Sequence, residues 1–132
     1  KGYYKDGLED GTFEWHYEKG ELSSTKQTYK MGVPDGPFEE YYENGLLKIK
    51  GTSKNGVRDG PLQLYYKNGE LKEKKTYKNG LEDGLYEFYG NNGELLLKMT
   101  FKDGLKDGPF AWYSNGQITS KGNYIDGDYI VD

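Results

Sequence analysis

The chain has 132 residues, enough for one domain, with 33% hydrophobic residues, 14 tyrosines and a formal net charge of −4. That acidic balance argues against nucleic acid, which calls for a basic face. The absence of cysteine removes disulfides and thiolate metal sites, and no apolar run reaches membrane-spanning length.

Aliphatic residues are scarce while aromatics reach 16%, so tyrosine rings must supply much of the interior. The chain opens at Lys1 with neither an initiator methionine nor a signal sequence, and reads as a processed or trimmed piece. Its first residues, Lys1-Gly2-Tyr3-Tyr4-Lys5-Asp6-Gly7, match the second half of a unit that then recurs. Asp-Gly pairs end at Gly11, Gly36, Gly60, Gly84 and Gly108, in steps of 25, 24, 24 and 24 residues. A period in this range marks an array of small units, none able to bury a core alone. Residues 1–132 therefore form a single array, with units near 8–32, 33–56, 57–80, 81–104 and 105–127 and partial units at both ends.

After each Asp-Gly comes an alternating run, as in Pro37-Phe38-Glu39-Glu40-Tyr41-Tyr42 and Pro61-Leu62-Gln63-Leu64-Tyr65-Tyr66. Period two is the strand signal, and proline stands only at the first position, where a missing N–H is tolerated. Asn-Gly follows in Glu43-Asn44-Gly45-Leu46, Lys67-Asn68-Gly69-Glu70 and Ser114-Asn115-Gly116-Gln117, a strong hairpin signal. A two-residue turn there would place Tyr42 opposite Leu47 and Tyr66 opposite Leu71. The return segment carries Leu22, Leu47, Leu71, Leu95 and Ile118, and on its other face a lysine column: Lys50, Lys74, Lys98 and Lys121. Glu14, Glu39 and Glu87 share that face on the outgoing strand, where cross-strand pairing contributes roughly 0.2–1 kcal/mol.

A second connector holds two glycines four apart, which permits two reversals. Its apolar residue (Leu8, Val33, Val57, Leu81 or Leu105) is expected to plug the loop onto the sheet. Its acidic residues match no calcium-loop spacing, so turn chemistry explains them better. Gly108 to Gly116 spans eight residues where other units have nine, which predicts a different turn or local register at Ser114-Asn115.

The run Asp35-Gly36-Pro37-Phe38-Glu39-Glu40-Tyr41-Tyr42-Glu43-Asn44-Gly45-Leu46-Leu47-Lys48 closely resembles the MORN repeat, in its bacterial second variant. The resemblance covers essentially the whole chain. It implies an all-β fold, an elongated antiparallel meander of stacked hairpins forming one open, twisted or curled sheet. Five units at two strands each would span roughly 50 Å. Such families are described as interaction modules that tether proteins together or to membranes. Some bacterial members are labelled antitoxin-like, and others occur in the cell envelope or are exported. The acidic chain, lacking a basic cluster, argues against membrane lipid as the partner.

Chemistry that would mark an enzyme does not stand out. The lone histidine, His16, fills the slot held by Tyr41, Tyr65, Tyr89 and Tyr113 in the other units. One histidine and no cysteine leave zinc and iron without ligands. Carboxylates recur with the repeat, whereas an active site should occur once; the expectation is no catalytic residue, no metal and no cofactor. The leading reading is a protein-binding or scaffolding array that uses the column His16, Tyr41, Tyr65, Tyr89 and Tyr113. Packing of those rings on lysine stems is the plainer account of each one. The alternative function is a carbohydrate or cell-wall binding module that uses the same aromatics. Uncapped strand edges would also permit edge-to-edge self-association.

Overall fold

The computed structural model describes residues 3–16 and 24–131. The first-unit turn expected at Gly20, with Leu22 beyond it, lies outside the described residues, as do Lys1 and Gly2. All fifteen described strands belong to one open antiparallel sheet in meander order. The outgoing strands are Leu8–His16, Val33–Tyr41, Gly60–Tyr65, Gly84–Tyr89 and Gly108–Ser114. The return strands are Ser24–Lys30, Leu47–Lys54, Leu71–Lys78, Leu95–Lys102 and Gln117–Ile125. Tyr3–Lys5 and Asp128–Ile130 flank the array, and the short segments Val57–Arg58, Leu81–Glu82 and Leu105–Lys106 lead into the later outgoing strands.

The two kinds of turn differ from the expected geometry. In the hairpin turn, Tyr42 N–H donates to Leu46 O at 2.8 Å and Gly45 N–H to Tyr42 O at 2.9 Å. The loop thus has three residues, with positive φ only at its glycine (Gly45, φ 85°). Tyr41, not Tyr42, consequently lies opposite Leu47, and Tyr65, not Tyr66, lies opposite Leu71. The second connector turns once rather than twice. Its reversal is a two-residue turn with both residues at positive φ, as in Asn55 (51°) and Gly56 (87°). The Asp-Gly glycine sits instead within the strand pairing. Between Gln27 and Tyr29 the return strand advances two residues while the facing strand passes from Phe38 to Pro34, an irregularity that Gly36 accommodates at φ 116°.

The fifth unit absorbs its shorter spacing in the turn, as expected. Asn115 and Gly116 both take positive φ, and Ser114 pairs with Gln117 across a two-residue loop. Tyr113 still faces Ile118, so the strand register matches that of the longer units.

One face holds the core. A single layer buries a side chain only by laying its neighbours across it, and Leu62 (2% exposed) lies with Phe38 over Gly51. Phe13 (5% exposed) is covered by Tyr4 and Tyr29 edge-on and by Trp15 in a stacked contact. Leu97 and Met99 complete the buried apolar set among the described residues. Leu8, Val33, Val57, Leu81 and Leu105 remain 40–50% exposed on the rim. Instead of plugging their own loop onto the sheet, Leu8, Val33, Val57 and Leu81 each rest against the turn glycine of the following connector: Gly32, Gly56, Gly80 and Gly104.

Candidate functional site

The opposite face is polar and carries the tyrosine column. Register sets Lys26 against Glu39, Glu39 against Lys50, Lys50 against Gln63 and Gln63 against Lys74. Glu87 lies between Lys74 and Lys98, and Ala111 between Lys98 and Lys121. The result is one row across the sheet, mostly alternating in charge. Lys26 Nζ stands 3.8 Å from Glu14 Oε1 with both side chains well solvated, so this pair contributes little.

Two residues along each strand come the column tyrosines. Tyr41, Tyr65, Tyr89 and Tyr113 are all half-buried and face Leu47, Leu71, Leu95 and Ile118. The Tyr65 hydroxyl donates to Gln63 Oε1 at 3.0 Å. Burial, then the hydrogen bond and charge of Glu39, hold the Tyr41 phenol above its ordinary value. Burial, then the charge and hydrogen bond of Glu87, do the same for Tyr89. Lys26 also lies over the Tyr41 ring, 5.7 Å from its centroid. The structure therefore brings the four tyrosines into one line beside the charged row. The backbone of His16 ends its strand opposite Ser24, while its side chain lies outside the described set.

The rims fasten each unit to the next. Tyr42 and Tyr66 hydroxyls each donate 2.6 Å hydrogen bonds to the carbonyls of Tyr65 and Tyr89, one unit on. Asn44 and Asn68 reach Lys67 O and Asn91 O at 2.8 Å. On the opposite rim, the Asp-Gly carboxylates accept from the following turn: Asp59 from Asn79 N–H, Asp83 from Asp103 N–H and Asp107 from Asp126 N–H. These aspartates thus have a structural role. No cluster of three metal-ligating side chains occurs among the described residues.

One constellation escaped the sequence reading. On the core face, Tyr86 Oη donates to Glu73 Oε1 at 2.5 Å, and Lys75 Nζ lies 3.3 Å from Glu82 Oε1 and 3.9 Å from Glu73 Oε1. The signal was present in the aligned units: Lys75 stands where the others carry Gln27, Gly51, Met99 and Gly122. The Lys75 ammonium sits over Tyr77 and Tyr86 at 5.9 and 5.6 Å, so its charge is compensated on several sides.

Comparison with known families gives a match over well over half of the chain. Residues 34–55, 58–79, 82–103 and 106–126 each fit the family model described as the MORN repeat variant. The chain matches no curated protein sequence.

Proposed function

The chain belongs to the MORN repeat variant family, and we propose that it acts as a non-enzymatic module that binds or scaffolds a protein partner. The recognition surface in this reading is the polar face carrying Tyr41, Tyr65, Tyr89 and Tyr113. The supporting observation is their alignment: four half-buried rings on consecutive outgoing strands, about 10 Å apart, beside a charged row. Tyrosine suits such a surface because it offers apolar area and a hydroxyl at small entropic cost. The Asp-Gly carboxylates agree with this reading, since they repeat with the units and serve as rim fasteners.

The test replaces Tyr41, Tyr65 and Tyr89 with serine and compares partner capture after a high-salt wash. Lost capture with an unchanged circular dichroism spectrum supports the reading. Loss of the spectrum assigns the rings to packing instead. Binding on a glycan array without any protein capture would move the surface to carbohydrate recognition.

A further inference from the structure

The fifth unit breaks the charged row at one residue. Two positions before the column tyrosine, the outgoing strands carry Glu39, Gln63 and Glu87, but the fifth carries Ala111. Each of the three longer side chains lies between two lysines and meets the tyrosine hydroxyl, as Gln63 Oε1 does at 3.0 Å from Tyr65. Ala111 keeps the lysines, Lys98 and Lys121, and the tyrosine, Tyr113, but brings no carboxylate or amide to meet them. Over it lies an open groove of about 480 Å³, lined by these residues together with Leu85 and Pro109. Among the described residues neither Lys98 nor Lys121 forms an ion pair.

We propose that this groove binds a carboxylate side chain from an extended acidic segment of a partner protein, set between Lys98, Lys121 and Tyr113 as glutamate is set in other units. The proposal rests on the interaction reading above and adds the chemistry that the partner must present. The molecule supplies its own template: Glu39 and Glu87 hold this setting in two units and the amide of Gln63 in a third, and the two flanking lysines favour the carboxylate. Leu85, Pro109 and Ala111 give an apolar floor for the methylene stem of a glutamate. A chain segment is favoured over a small acid because a single exposed lysine–carboxylate pair contributes little on its own. Neighbouring residues of an extended segment add contacts across the groove, which spans four strands.

The test titrates the whole chain with a hexaglutamate peptide, a hexaglutamine peptide and free glutarate, following amide NMR shifts at Ala111, Tyr113 and Lys121. Saturable binding is expected for hexaglutamate, about tenfold weaker binding for glutarate, and none for hexaglutamine. Ala111→Glu fills the groove from within and should weaken hexaglutamate about tenfold with an unchanged circular dichroism spectrum. Lys121→Ala should also weaken it, while Lys50→Ala, in an intact stretch of the row, should leave it within about twofold. Full binding by the Ala111→Glu variant, equal binding of hexaglutamine, or glutarate as tight as the peptide would each overturn the proposal. If the serine-substituted column loses its partner while Ala111→Glu still binds hexaglutamate, the groove fails and the interaction reading stands. The reverse pattern removes the reading and leaves the groove.

Discussion

Gly51 shows how one hydrogen atom sets the packing of the core face. A methyl group there would lie 2.5 Å from Leu62 Cδ1 and 2.7 Å from the Phe38 ring. Gly51→Ala should therefore destabilise the array by about 1–3 kcal/mol, read from the midpoint of urea unfolding, because both side chains must leave their wells. Tyr86 makes a different kind of prediction. Burial, its hydrogen bond to Glu73 and the charges of Glu73 and Glu82 raise its phenol above the ordinary value of 10.0. The folded chain then keeps a proton that the unfolded chain loses, so stability is complete below pH 10 and falls as pH rises above it. Tyr86→Phe should make the alkaline limb of a pH–stability profile less steep, whereas an unchanged limb would remove the assignment. Neither residue was singled out from sequence. Gly51 lies in a strand where glycine signals only a close approach of unknown identity, and Lys75 and Tyr86 each look ordinary until the register brings them together.

At the level of the hairpin, strand positions were legible because period two survives in every unit. Turn geometry was less so. Asn44-Gly45 and Asn55-Gly56 share a dipeptide, yet one closes a three-residue loop and the other a two-residue turn. Which one forms depends on the length between paired residues, and that length is fixed only when both strands find their partners. The same logic misled the reading of Asp-Gly, a strong turn signal that here serves as a kink within the pairing. The fifth unit turns this into an experiment. Its turn has one residue fewer while Tyr113 and Ile118 remain paired. Inserting one residue between Ser114 and Asn115 should therefore lengthen the loop alone and change stability by less than about 1 kcal/mol. Inserting one after Glu87 should exchange the two faces beyond it and abolish the cooperative thermal transition.

Among the described residues, backbone ladders join each strand of the meander only to its immediate neighbours, side chains reach one unit further, and the meander runs from Tyr3–Lys5 at one edge to Asp128–Ile130 at the other. Stability in such a chain is a sum of unit and neighbour terms. Removing residues 57–80 joins Gly56 to Leu81, preserves both turn types and sets Tyr86 where Leu62 lay. The shortened chain should fold, with a smaller urea m-value in proportion to the lost surface. Removing twelve residues instead should leave it unfolded by circular dichroism. The candidate surface was only partly legible at this scale. The column and the glutamates beside it could be read onto one face from period two, but the pairing of Tyr41 with Leu47 depends on an extra return-strand residue that spacing alone did not show.

The order of the strands also has a mechanical meaning. With the first and last described strands on opposite edges, tension applied between them loads the backbone ladders in series, and the sheet opens like a zipper instead of shearing. Each hairpin released adds about 80 Å of slack for its 24 residues, so under a stretching force the molecule would lengthen by discrete, nearly equal increments, as a shock absorber does.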